Sequence, residues 1–158
     1  MEYFHQEPVK ENTARAARTV APEMTLGDLL RLFSSDDFPA YPVVRAGKLV
    51  GMVSRADSIK PFTEKAGTNT AHFDAIMGTT VEQIMSSRVI TVELDATLDT
   101  VVRLMGAHDF ESFPVVDHEN RVQGIVARDD VIRALARYTW RASTPLPLPL
   151  SPVGYAIA

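Results

Sequence analysis

Gly51-Met52-Val53-Ser54-Arg55-Ala56-Asp57 has a second version further along the chain, Gly124-Ile125-Val126-Ala127-Arg128-Asp129-Asp130. Each runs from an apolar stretch into a small residue, an arginine and a carboxylate. Upstream of these, Tyr41-Pro42-Val43-Val44 stands against Phe113-Pro114-Val115-Val116, with one residue inserted in the second copy before the glycine. Further upstream Asp37-Phe38 stands against Asp109-Phe110, and the stretch from Thr19 to Phe33 against that from Thr91 to Met105. Apolar period, turn residues and charged positions recur in the same order, so the chain carries an internal duplication.

Each copy reads as a strand, a helix, two strands and a helix, an α+β arrangement. The opening strands are expected over 18–20 and 89–92. The next helix starts at Thr25, with Asp28 as its capping-box partner. Its apolar residues Leu26, Leu29, Leu30 and Phe33 follow the helical period, as do Leu98, Val101, Val102 and Met105 in the second copy. A hairpin over 41–44 and 49–53 turns at Arg45-Ala46-Gly47-Lys48, and its counterpart over 113–116 and 122–126 at Asp117-His118-Glu119-Asn120. The closing helix spans about 129–138 in the second copy. In the first, Pro61 is expected to truncate it. The resulting divisions are a first repeat over 9–60, a connector over 61–80 with a short helix near 73–77, a second repeat over 81–139, and a Pro-rich, extended tail over 140–158.

Composition narrows the function. The chain has 158 residues, 46% hydrophobic and 23% charged, which suits one compact domain or two fused halves. A net charge of −4 with no basic stripe argues against a nucleic-acid partner. The absence of cysteine removes disulfides, thiolate nucleophiles and cysteine-ligated metal. No stretch approaches the roughly 20 apolar residues of a membrane span, and the first residues lack the pattern of a secretory signal. The expectation is a soluble, cytoplasmic protein that does not enter a membrane.

Val81-Glu82-Gln83-Ile84-Met85, Val89-Ile90-Thr91-Val92 and Asp95-Ala96-Thr97-Leu98, followed by the segments 108–116 and 124–130, resemble a CBS (cystathionine β-synthase type) repeat. The first copy resembles it less regularly. The resemblance implies tandem repeats packed through their sheets with pseudo-two-fold symmetry. It also implies two clefts between them that bind AMP, ADP, ATP or S-adenosylmethionine as regulatory ligands, with no required cofactor. A homodimer is implied, along with a regulated partner that is an enzyme or a transporter. The apolar helix faces over 26–33 and 98–105 are the surfaces expected to support the dimer.

The site residues follow from the same resemblance. Its ligand motif is a glycine, an apolar residue, any residue, a hydroxyl residue, two more and an aspartate, which 51–57 carries whole. It implies that Asp57 grips ribose hydroxyls, and that Ser54 and Arg55 address a phosphate at a helix start. In the second copy Ala127 replaces the hydroxyl residue, while Arg128 and Asp130 remain. Tyr41, Pro42 and Val43, with Phe113, Pro114 and Val115, stand where the family surrounds the base. The backbone at Thr19-Val20 and Thr91-Val92 stands where the adenine edge is read.

Each assignment has a plainer alternative. Ser54 and Asp57 form a helix capping box without any ligand. Tyr41 and Phe113, as apolar hairpin residues, are ordinary core. His5, His72, His108 and His118 have no metal-ligand spacing. Asp36-Asp37 and Asp129-Asp130 are adjacent carboxylates that point apart or cap helices, and no nucleophile elbow or P-loop is present, so an enzyme is not expected. The competing function is a ligand-independent dimeric scaffold with degenerate clefts.

Overall fold

The computed structural model describes residues 2–13, 18–64 and 70–142. After a short helix α1 (Glu2–His5) and a 3-10 turn (Val9–Glu11), the first lobe comprises α2 (Leu26–Ser35), β1 (Ala40–Arg45), β2 (Lys48–Ser54) and α3 (Arg55–Glu64). The segment between the lobes, called the connector below, joins 61–80 to the first residues of the second repeat as far as Ile90, and holds α4 (Thr70–Met77) and α5 (Val81–Ile84). The second lobe follows with β3 (Val92–Glu93), α6 (Leu98–Ala107), β4 (Ser112–Val116), β5 (Val122–Ala127) and α7 (Arg128–Ala142).

The duplication is exact at the level of strand register. Tyr41 faces Val53, Pro42 faces Met52 and Val43 faces Gly51, with a bulge between Val43 and Val44. Phe113 faces Val126, Pro114 faces Ile125 and Val115 faces Gly124, with a bulge between Val115 and Val116. A bulge locally increases twist, so the same kink recurs at the same place in both hairpins. The opening strand is weaker than expected. It is a single parallel bridge from Val20 to Val43 in the first lobe, and the two residues Val92–Glu93, parallel to β4, in the second.

The hairpin turns differ. The first is the two-residue turn Ala46-Gly47 with φ of 50° and 77°, the left-handed pair that matches strand twist. Glycine adopts this freely, but alanine does so at a cost of about 1–2 kcal/mol. Ala46→Asn, which tolerates that region and creates the preferred Asn-Gly turn, is expected to raise stability by about 0.5–1 kcal/mol, read as a shifted urea midpoint at constant slope. In the second turn Asn120 takes φ 62°. There the Asp117 carboxylate accepts from the backbone N–H groups of Arg121 and Glu119, and these bonds hold it below its ordinary range. Asn120 also joins the lobes. Its carbonyl accepts from the Leu49 N–H and its side-chain amide donates to the Leu49 carbonyl, both at 3.1 Å.

Helix starts follow local chemistry. The Thr25 hydroxyl accepts from the Asp28 N–H at 3.3 Å, but the reciprocal half of that box is absent. Asp28 pairs with Arg31 instead, at 2.8 Å. Pro61 does not end α3, which continues to Glu64. Proline keeps a helical φ and forfeits only a local hydrogen bond, and Phe62 beyond it packs on the first core. At the other end, α7 runs to Ala142, into the segment expected as tail. Residues 143–158 lie outside the described residues.

The lobes have separate cores that exchange a residue. Leu26, Leu29, Phe33, Tyr41, Val43 and Val53 form the first, closed by Ile76 and Val81 from the connector. Val92, Leu98, Val101, Phe113, Val126 and Val131 form the second, closed by Phe4 and Val9 from the start of the chain. Matching backbone bonds fix both closures. Val81 donates to Met24 at 2.8 Å and Leu26 to Thr79 at 2.7 Å; Val9 donates to Ala96 at 2.8 Å and Leu98 to Glu7 at 2.9 Å. Thus the first residues of each repeat cover the other repeat's lobe. Arg137 of α7 reinforces the N-terminal strap through Glu7 at 2.7 Å. Burial alone would raise the Glu7 carboxyl, but hydrogen bonds from Tyr138, Asn12 and Arg137 hold it below its ordinary value.

Candidate functional site

Among the described residues, two clefts open between the lobes. The first, of about 640 Å³, lies beside the start of α3. It brings Ser54, Asp57 and Lys60 opposite Val89 and Ile90 of the connector, with Phe113 and Pro114 of β4 along one wall. The second, of about 590 Å³, lies beside the start of α7 and brings Ala127, Arg128 and Asp130 opposite Asp37 and Phe38. Pro39, Arg55 and Glu111 border both. Each volume falls within the roughly 300–1,000 Å³ of small-molecule sites.

At the first cleft the capping box is complete. The Asp57 carboxylate accepts from the backbone N–H and the hydroxyl of Ser54, both at 2.9 Å, while the Asp57 N–H donates to Ser54 Oγ at 3.1 Å. Its other oxygen meets Lys60 Nζ at 3.1 Å. The carboxylate therefore stands in the cleft, oriented, with one oxygen held by a lysine that can swing away. The second cleft keeps half of this. Asp130 accepts from the Ala127 N–H at 2.8 Å and pairs with Arg133, but Ala127 has no hydroxyl to complete the box.

Arg55 is engaged within the protein. Its Nε donates to the Phe38 carbonyl at 2.9 Å, its Nη2 to that of Asp36 at 2.6 Å, and its guanidinium lies 5.0 Å from the centre of the Phe33 ring. It pins the 36–38 loop to the helix start. A phosphate would have to share it with these carbonyls.

Of the residues singled out from sequence, Ser54, Arg55, Asp57, Phe113 and Pro114 meet at the first cleft, and Arg55, Arg128 and Asp130 at the second. Thr19, Val20, Tyr41, Pro42, Val43, Thr91, Val92 and Val115 line neither. Tyr41 is 1% exposed, tilted 4.7 Å from Phe33, with its hydroxyl 3.1 Å from Asp36 Oδ2. Burial, then that carboxylate, pushes its phenol up to about 12. Val89 and Ile90, two residues ahead of the expected Thr91 and Val92, line the first cleft because Val92 turns into the core as a β3 residue. Sequence reasoning also missed Lys60, Ser86 and Arg88. The helical spacing of Lys60 from Asp57 was a usable signal for the first; nothing pointed to the other two.

Gly51 does structural work beside this cleft. A Cβ there would lie 2.9 Å from the Ser86 carbonyl oxygen and 2.5 Å from Met85 Sδ. The missing side chain lets Met52 and Ser86 exchange two backbone bonds of 2.9 Å, which hold the connector against β2.

A duplicated hairpin-and-helix unit with an aspartate-bearing helix start at each of two inter-lobe clefts defines a tandem-repeat module. The chain belongs to the CBS domain family, which it matches over residues 9–57 and 81–137. It is 33% identical over 129 residues to protein MJ0188 of Methanocaldococcus jannaschii, covering 80% of this chain and 43% of that one, so it spans less than half the length of that relative. Among solved structures it is similar to the CBS domain pair of protein MJ0100 in complex with 5′-methylthioadenosine and S-adenosyl-L-methionine. The TM-score is 0.70 with 26% identity, covering 83% of this chain and 97% of that one. It is also similar to the cytosolic domain of the Mg2+ channel MgtE in complex with ATP, with a TM-score of 0.65 and 28% identity over 83% of this chain and 50% of the other.

Proposed function

We propose that this module is a regulatory sensor whose first cleft binds an adenosine-containing ligand, AMP, ADP, ATP or S-adenosylmethionine. The observation that carries the reading is the oriented Ser54–Asp57 pair at a helix start, facing Val89 and Ile90 across a cleft of about 640 Å³. Asp57 offers its carboxylate to ribose hydroxyls once Lys60 swings aside. The backbone of 89–90 faces the base, and Phe113 and Pro114 supply an apolar wall. The adenosine compounds bound by the domain pair of MJ0100 and by MgtE support the ligand class. The regulated partner is then an enzyme or a transporter.

The module acts as a homodimer in this reading. The α2 face does not serve, because Leu26, Leu29 and Phe33 are buried in their own lobe, as Leu98 and Val101 are in theirs. The surface that supports dimerisation is on α3 and α7, where the equivalent residues Ile59 and Ile132 are 56% and 55% exposed. Sedimentation showing a monomer at micromolar concentration would count against it.

Calorimetric titration with AMP, ATP and S-adenosylmethionine tests the sensor. Asp57→Ala is expected to weaken the ligand that binds by about 10- to 100-fold, the value of charge-assisted hydrogen bonds to ribose. Binding by no member of that panel at millimolar concentration would sink the reading. The scaffold alternative would then stand, favoured by one observation: Asp57 and Arg55 already have internal partners.

A further inference from the structure

We propose that the module takes a single phosphorylated ligand per chain, in the first cleft, with Arg88 as its phosphate anchor. This rests on the adenosine-ligand reading above and adds to it which cleft, how many ligands, and which chemical class.

The clefts differ first in their free charge. In the second, Arg133 pairs with Asp130, and Arg128 lies 3.9 Å from Asp109. Asp37, Glu111 and Asp129 add three carboxylates that form no ion pair among the described residues. A phosphate entering there meets carboxylates in excess, and its one loosely held cation, Arg128, already faces the Asp109 carboxylate at 3.9 Å. In the first cleft Lys60 is held by Asp57 and Arg55 by two carbonyls. Arg88 is the exception: it lines the cleft, and its guanidinium has no hydrogen bond or ion pair among the described residues. A guanidinium is a planar, permanently charged fork that matches two phosphate oxygens. Glu111 borders both clefts and so does not distinguish them, and Asp109 lines the first. The first cleft thus sets Asp57, Asp109 and Glu111 against Arg55, Lys60 and Arg88, while the second sets Asp37, Glu111, Asp129 and Asp130 against Arg55, Arg128 and Arg133.

The second difference is the hydroxyl. Ser54 stands at the first helix start, Ala127 at the second. Only the first offers a side-chain O–H that can turn from Asp57 to a phosphate oxygen. The third is the aromatic rim. Phe110 at the first cleft is 45% exposed, edge-on to Phe113 at 6.0 Å. Its counterpart Phe38 at the second is half-buried and packed 5.9 Å from Tyr41. His108 stacks parallel on one face of Phe110 at 5.7 Å, and the rest of the exposed ring suits an apolar contact with a base. All three differences favour the same cleft, and Arg88, unpaired among the described residues, favours a phosphorylated compound over a cationic sulfonium such as S-adenosylmethionine.

The test is paired titration of the full chain with AMP and adenosine, in wild type, Arg88→Gln and Arg133→Gln. The expected result is one AMP per chain, bound at least about tenfold more tightly than adenosine, as a charge-assisted phosphate contact implies. Arg88→Gln should bring the two to within about twofold, leaving adenosine affinity and thermal stability unchanged, whereas Arg133→Gln should alter neither ligand. Two AMP per chain, or an AMP preference that survives Arg88→Gln, would overturn the proposal. If adenosine binds and AMP gains nothing, this proposal falls while the adenosine-sensor reading stands. If neither binds at millimolar concentration, this proposal falls, and the adenosine-sensor reading falls with it only when ATP and S-adenosylmethionine also fail to bind.

Discussion

Gly51→Ala is expected to destabilise the protein by about 2–3 kcal/mol, the upper part of the range for forcing a methyl into a packed site. The added Cβ would sit 2.9 Å from a backbone oxygen, that of Ser86, which cannot rotate away as the Met85 side chain can. Relief requires the connector to lift off β2, with loss of both Met52–Ser86 bonds. Ser86 and Arg88 line the first cleft, so ligand affinity should fall along with stability. The matched control is Gly106→Ala near the end of α6, where a Cβ meets nothing within 4 Å. There alanine should stabilise by about 0.5–1 kcal/mol through helix propensity. Urea unfolding of the two variants should shift in opposite directions; a Gly51→Ala midpoint equal to wild type would show that the contact is not restrictive.

Val9→Asp should be larger still, costing at least about 4 kcal/mol, the regime of an unpaired charge placed in a core. Val9 is 0% exposed among Val92, Leu98 and Val131, although by sequence it opens the first repeat. Hydrogen exchange gives the location. Protection should collapse in α6, β4 and β5 before it does in β1 and β2. Val81→Asp should produce the reverse order, because Val81 opens the second repeat yet lies in the first core. Equal loss in both lobes from each variant would contradict separate cores.

The hairpins were legible to within a residue or two, because alternation and turn residues are local signals and each was present twice. Pro61 misled, since a proline rule weighs the lost donor and not the packing of Phe62 that carries α3 onward. The exchange of Val9 and Val81 was invisible for a deeper reason. Periodicity reveals that a residue is buried and says nothing of which core receives it. At the site, the Ser54–Asp57 pair was readable because helix capping is itself a sequence-local geometry. The cleft-facing positions at 89–90 were misplaced by two residues, because a strand as short as β3 has too little alternation to set which residues turn inward. Arg88 becomes meaningful only through what the other arginines are already bonded to, and that is a tertiary fact.

The exchanged closures also bear on how the protein matures. On the ribosome Val9 emerges early and has no docking site until Leu98 and Val131 have followed it out. Such distant pairings fold slowly and leave apolar surface open in the meantime. The duplicated gene product is accordingly expected to resist division. A cut within the connector would yield two fragments that each still need a cover only the other can lend, and they should regain structure when mixed and not when kept apart.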